Sequence, residues 1–219
     1  MTDPDRPPDR GWTSQLVEVA VADPPEAWAR AGFAVDRDGV RIGATTFRLT
    51  GPQPGARGIV GWAIAGLDAP DGEGTIDGLP TTFMTAADPA PPTAADPAAD
   101  PAPPQPNGVV GLDHVVVRTP DLERTIAAFG DVGLACRRIR ETTGPGGAPM
   151  RQAFLRVGAT IIEVVGGATG SGEPASEAPA TWFGLALDAD DLDRTAAALG
   201  DGLGRTKPAV QEGRRIATF

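Results

Sequence analysis

The sequence of 219 residues contains one histidine, one cysteine and no tyrosine, and these absences limit its chemistry. Cys136 stands alone, so it cannot form an internal disulfide, and no Cys or His pattern around it predicts a zinc site or a thiol nucleophile. Any Ser-His-Asp arrangement would need His114, and no nucleophile-elbow motif accompanies that residue. The sequence therefore excludes an internal disulfide scaffold and disfavours a nucleophilic hydrolase.

Positive charge and long apolar runs are scarce as well. The 19 Lys and Arg residues are outnumbered by 29 Asp and Glu residues, and the net charge of −10 repels phosphate backbones and anionic lipids. No apolar run reaches the roughly 20 residues of a membrane span, and no apolar segment follows the polar N-terminus. We therefore expect a cytoplasmic globular protein that binds neither nucleic acid nor membranes.

Two segments lack the side chains needed to build a core. Residues 86–108 repeat Ala-Asp-Pro and hold almost no large apolar residue, which predicts a linker partly extended by its prolines. A shorter break of the same character covers residues 167–180, and residues 1–11 are predicted to be disordered. Three foldable segments remain, at about 12–85, 109–166 and 181–219.

The middle segment has the clearest pattern. GLDHVVVR (111–118) is rich in β-branched residues and predicts a strand. Thr119-Pro120-Asp121 then opens a predicted helix that ends at a glycine. Three further strands are predicted at 134–141, 150–158 and 160–166. The predicted order is β-α-β-β-β.

This unit recurs along the chain. Residues 156–166 align without gaps on 41–51, and residues 183–204 align on 113–134 with a shared Asp-Leu-acid-Arg-Thr helix start. Copies therefore begin near residues 15, 111 and 181, and strands at 59–67 and 79–85 are predicted to form a fourth, eroded copy without a helix. Repeated units of this kind must pair with one another to bury their apolar faces.

Tandem βαβββ units, with GLDHVVVRTPDL opening one and ATIIEVVG closing it, resemble the vicinal oxygen chelate superfamily of glyoxalases, extradiol dioxygenases and bleomycin-resistance proteins. The resemblance implies an α+β fold in which tandem βαβββ modules form curved, cupped mixed sheets with helices on the outer face. It implies degenerate glyoxalase-like modules over 12–85 and a glyoxalase-like domain over 109–219, whose last module is about one strand short. The exposed sheet edge there favours a homodimer.

The resemblance also implies a site. His114 lies on the strand face opposite Val115, and Glu163 lies opposite Ile162, so both are expected to project into the concave face. In the family, these two positions hold metal ligands, which implies a divalent metal (Zn, Fe, Mn or Ni) at His114 and Glu163, with Glu18 as a further candidate ligand. Glu163 is also the candidate catalytic carboxylate.

Two alternatives remain open for the function. Glu18 aligns with His114 and Arg48 aligns with Glu163, so the first copy offers either a substrate-binding arginine at Arg48 or only an ion pair. The third copy has Gly184 at the position of His114 and supplies no ligand there. The protein is then either a metal-assisted lyase, isomerase or dioxygenase acting on a vicinal-oxygen substrate, or a metal-free small-molecule-binding protein of the bleomycin-resistance type.

Overall fold

The computed structural model describes residues 14–37, 39–86, 105–167, 177–209 and 212–219. The predicted disordered N-terminus and most of the two predicted linkers lie outside these ranges. The described helices and strands, in chain order, are β1 (Gln15–Val21), α1 (Pro25–Arg30), β2 (Val40–Ile42), β3 (Thr45–Leu49), β4 (Ile59–Ala65), β5 (Gly72–Ile76), β6 (Leu79–Met84), β7 (Val109–Arg118), α2 (Leu122–Asp131), β8 (Cys136–Thr143), β9 (Pro149–Val157), β10 (Thr160–Gly167), β11 (Thr181–Ala189), α3 (Leu192–Leu199), β12 (Lys207–Pro208) and β13 (Arg215–Ile216).

The strands form two mixed sheets, as predicted for an α+β protein of this type. The first sheet has six strands in the order β2-β3-β1-β4-β6-β5, and the second has five in the order β11-β7-β10-β9-β8. β7, α2, β8, β9 and β10 reproduce the predicted β-α-β-β-β unit, with the first strand parallel to the last. β12 and β13 form a separate two-stranded hairpin.

The first sheet contains two shorter units. β1, α1, β2 and β3 form one unit, and β4, β5 and β6 form a second unit that has no helix among the described residues. The predicted fourth copy therefore has the two strands expected of it, but the intervening segment also contains β5. β1 pairs with β4 antiparallel, and β7 pairs with β11 in the same way.

Each of the two longer helices begins at an aspartate. The side chain of Asp121 accepts a hydrogen bond from the backbone N–H of Arg124, and Asp191 caps α3 by accepting from the N–H groups of Asp193 and Arg194. This cap satisfies amides that the helix itself cannot pair. The repeated Asp-Leu-acid-Arg-Thr sequence thus begins a helix in both copies.

One face of each sheet is buried in a common core. Val115, Val117, Ile162 and Val164 are fully buried, as the alternation along β7 and β10 predicts. Trp62 of the first sheet packs edge-on against Phe129 of α2 and Trp182 of β11, with ring centroids 6.1 and 4.5 Å away. The opposite, less buried face of the second sheet is called the open face below.

A buried carboxylate joins the two sheets outside this core. Asp77, in the turn between β5 and β6, has a side chain only 8% exposed and accepts hydrogen bonds from Arg124 and Thr125 at the start of α2. The hydrogen bond that Arg124 donates to Asp77 raises the pKa of the Arg124 guanidinium above its ordinary value. Asp77 has φ +47°, a left-handed conformation that Asp tolerates better than most residues.

The last four residues of the predicted linker are part of the folded structure. Gln105 accepts a hydrogen bond from the backbone N–H of Ala34 and donates to the carbonyl of Arg41, and Asn107 donates to the carbonyl of Ala31. Their side-chain amides supply polar partners that a composition-based argument does not detect. In the part of the chain that the structure describes, no helix is long and apolar enough to cross a membrane.

Candidate ligand-binding site on the open face

His114 and Glu163 meet on the open face of the second sheet. The Nε2 atom of His114 lies 3.5 Å from Oε2 of Glu163, and their side chains are 24% and 15% exposed. The register places His114 opposite Ile161 and Glu163 opposite Val116, so the two polar side chains occupy adjacent strands two positions apart. The prediction that both project away from the buried valines is confirmed.

The Glu163 carboxylate is fixed by the two strands beyond it. Gln152 of β9 donates its amide to Oε1 of Glu163, and the Gln152 carbonyl oxygen accepts from Nε and Nη2 of Arg140 on β8. Oε2, the oxygen nearer to His114, is not the one held by Gln152. The side-chain amide of Gln152 therefore links the Arg140 guanidinium to the Glu163 carboxylate.

The His114 ring is fixed from the other side. Its Nδ1 atom lies 2.6 Å from Oδ2 of Asp113, and Arg214 contacts both Asp113 and Asp188, at 3.7 and 2.9 Å. When Nδ1 donates to Asp113, Nε2 of the neutral ring is a hydrogen-bond acceptor that points towards Glu163. A ligand hydroxyl about 2.8 Å from both Nε2 and Oε2, which are 3.5 Å apart, can donate its one hydrogen to either of them.

The same pair has the spacing of two ligands of one metal ion. His114 through Nε2 and Glu163 through Oε2 would be the ligands of such an ion. The residues opposite on β11 are Gly184 and Ala186, which offer no side-chain donor, and the described residues contain no group of three or more His, Cys, Asp and Glu suited to a metal. Catalytic zinc sites typically have three protein ligands, so the described residues do not complete such a site.

Glu18 and Arg48 form a separate pair on the first sheet. Nε of Arg48 donates to Oε1 of Glu18 at 2.7 Å, across the parallel strands β1 and β3. The register repeats that of the second sheet, because Glu18 is opposite Thr46 and Arg48 is opposite Ala20. The structure thus joins Glu18 to Arg48 and not to the sheet that carries His114, so the predicted metal set of His114, Glu163 and Glu18 is divided between two sheets.

A shallow depression of about 290 Å³ adjoins the Glu18–Arg48 pair. It is lined by both members of the pair and by Asp36 and Arg37. Opposite charges balance there, and the Arg48 guanidinium already has a carboxylate partner. Arg48 as a substrate-binding residue remains a prediction, and an ion pair is what the contacts show.

Asp113, Gln152 and Arg140 also belong to the site, and the sequence did not predict them there. The antiparallel register of β8, β9 and β10 places Gln152 and Arg140 near Glu163, and the hairpin connections set that register. The alternation of side chains along β8 and β9 does indicate these two residues, since Arg140 and Gln152 are polar and lie on the face opposite to that of buried Ala153. Asp113 lies next to His114 in sequence, and its contact depends on the local side-chain geometry.

Several solved structures share the fold. A mutant of 4-hydroxymandelate synthase from Streptomyces coelicolor has a TM-score of 0.54 and 16% identity, with 87% of this chain and 76% of that chain covered. A xylose isomerase-like TIM barrel/4-hydroxyphenylpyruvate dioxygenase fusion protein has a TM-score of 0.53 and 13% identity, with 94% of this chain and 42% of that chain covered. No family model matches the sequence, and no curated protein is similar to it. At these identities the likeness concerns the fold, and function has to be argued from the site.

Proposed function

We propose that this protein, which has the vicinal oxygen chelate fold, binds a small organic molecule on the open face of the second sheet and holds one polar group of it between His114 and Glu163. The observation that carries the proposal is the 3.5 Å separation of Nε2 and Oε2. The outer atoms of both groups are already engaged, by Asp113 and Gln152, so the facing atoms are oriented before a ligand arrives.

The surroundings of the pair support a ligand-binding role over a purely structural one. A carboxylate that is 15% exposed loses much of its hydration, and it keeps its place here through polar neighbours on both sides. Gly184 on β11 leaves space beside the pair, since no atom lies within 4 Å of the position that a Cβ would take. Preorganised polar groups beside open space are typical of small-molecule sites.

A second candidate function is proton transfer, and the orientation of the Glu163 carboxylate favours it. Gln152 donates to Oε1, so Oε2 faces His114 and the open side of the sheet. A bound carbon acid could transfer a proton from carbon to Oε2, and return of that proton to a neighbouring carbon would complete an isomerisation. This version assigns catalysis to Glu163 and routes no step through a metal.

Ligand-observed NMR with a library of small aromatic acids, amides and amines tests the proposal. We expect saturation transfer to at least one aromatic probe with the wild-type protein and its loss in His114→Ala. Glu18→Gln is the matched control, because Glu18 occupies the equivalent position on the first sheet and should leave binding unchanged. Equal loss in both variants, or binding that survives in His114→Ala, would contradict the assignment of the site.

A further inference from the structure

We infer that the ligand of the open face is an organic anion, whose carboxylate or phosphate group is bound by Arg138 and Arg140 beside the His114–Glu163 pair. This inference rests on the proposed function, because it specifies the class of molecule that the same face binds. Charge distribution and strand register carry it.

The register arranges the open face in three rows that cross the sheet. One row contains Arg156, Ile161, His114 and Ala186; the next contains Arg138, Phe154, Glu163, Val116 and Gly184; the third contains Arg140, Gln152, Val165 and Arg118. Each row therefore has an arginine on β8 or β9, and the first two rows have His114 or Glu163 near the middle. With strands about 4.8 Å apart, the Arg138 backbone is about 10 Å from that of Glu163.

Arg138 and Arg140 of β8 lie on the open face without a carboxylate partner among the described residues. Neither Arg138 nor Arg140 forms an ion pair with any residue that the structure describes, and Arg140 donates only to the neutral carbonyl of Gln152. Arginines with a carboxylate partner are found elsewhere on the molecule: Arg48, Arg124, Arg151, Arg194, Arg214 and Arg215. Two guanidinium groups that have no direct carboxylate partner and lie on adjacent rows favour an anion, since their fork of N–H donors fits carboxylate and phosphate oxygens.

The protein is negatively charged overall, so the arginines of the open face form a local region that attracts anions. A net charge of −10 repels anions from most of the surface, so an anionic ligand is attracted only where positive charge is concentrated. The two rows that begin on β8 contain Arg138, Arg140 and Arg118 and a single carboxylate, that of Glu163. The local excess of positive charge in these rows lies at the β8 end of the face.

The residues between the arginines and the central pair indicate an apolar body for the anion. Phe154 lies between Arg138 and Glu163 in its row, and Ile161 lies between Arg156 and His114. The Arg140 guanidinium carbon is 6.0 Å from the centroid of the Phe154 ring. A ligand with its anionic group at β8 would cover Phe154 with its apolar part and place a second polar group at His114 and Glu163.

Titrations with three aromatic probes of matched shape test the inference. Benzoate, benzamide and benzylamine differ mainly in charge, and phenyl phosphate distinguishes a phosphate from a carboxylate site. We expect benzoate or phenyl phosphate to bind more tightly than benzamide, and benzylamine to bind least. In Arg138→Gln, affinity for the anionic probe should fall about tenfold, as for the loss of one charge-assisted hydrogen bond, whereas affinity for benzamide should not change.

Arg30→Gln is the charge-matched control, because Arg30 is an exposed residue of α1 far along the chain from the open face. It should leave all affinities unchanged. If benzoate and benzamide bind the face equally, or if Arg138→Gln has no effect on the anion, the anion inference is overturned while the proposed function stands. If no probe binds the face, both are overturned.

Discussion

Nε2 of His114 and Oε2 of Glu163 lie 3.5 Å apart on adjacent parallel strands, each held from behind by a further polar side chain. Glu18 and Arg48 occupy the corresponding positions of the first sheet and neutralise one another. The first sheet therefore has an ion pair at these positions, whereas the second sheet has two groups directed at a common point.

Replacing His114 by Ala should leave the fold intact. The side chain is 24% exposed and lies on the open face, so its loss should lower the free energy of unfolding by at most about 1 kcal/mol. Val115→Ala is the neighbouring control on the buried face and should cost about 2 kcal/mol. Urea denaturation measures both; a loss in His114→Ala as large as that in Val115→Ala would identify His114 as a core residue.

Gln152 and Glu163 should be energetically coupled. Gln152→Leu removes the donor to Oε1 and leaves a half-buried carboxylate without that partner, which should cost about 2 kcal/mol of stability. Combining it with Glu163→Leu should recover at least half of that loss, because no charge then remains to be paired. Gln152→Leu combined with Glu18→Gln is the additive control, and a coupling energy near zero in the Gln152–Glu163 cycle would refute the proposed support of Glu163.

Asp77 should contribute more to stability than an exposed ion pair does. Asp77→Ala leaves Arg124 and Thr125 without their partner, and we expect a loss of about 2 kcal/mol, below the value for a fully buried pair because 32% of Arg124 is exposed. Asp193→Ala is the comparison: the hydrogen bond from Arg215 lowers the pKa of Asp193, but both groups are in solvent and little change is expected. Equal thermal shifts in the two variants would contradict a role for Asp77 in joining the sheets.

The purified protein should hold no stoichiometric metal after dialysis against a chelator and reloading with Zn²⁺ or Fe²⁺. The described residues offer two donors at the candidate site, and two leave an ion weakly bound. Elemental analysis of the wild type beside His114→Ala is the check. Near-stoichiometric metal that is lost in the mutant would favour the metal-assisted enzyme predicted from the family resemblance.

The repeats made much of the second sheet predictable. The alternation in GLDHVVVR and TIIEVVG places His114 and Glu163 opposite the buried residues, and that pairing follows from sequence alone. β5 was not predicted because Gly72-Glu-Gly-Thr-Ile76 is short and glycine-containing, with little strand propensity of its own. Its place depends on pairing with β6, a tertiary effect.

The partners of the predicted residues were harder to foresee. That Arg140 reaches Gln152, and Gln152 reaches Glu163, depends on the register between three antiparallel strands, which a one-residue shift would change. The separation of Glu18 from the His114 site depends on which copies share a sheet, and alignment of the copies does not state this. The local sequence pattern therefore predicts which face of the sheet a side chain lies on, whereas its hydrogen-bond partners depend on how the strands assemble.

Mapping of backbone amide shifts tests whether a ligand binds the open face of the second sheet. The ¹⁵N-labelled protein would be titrated with benzoate, with the amides of Val116, Glu163 and Gly184 as reporters of the open face and those of Glu18 and Thr46 as reporters of the first sheet. We expect saturable shifts in the first group and none in the second. Shifts confined to Glu18 and Thr46 would contradict this expectation, and would place the binding site on the first sheet.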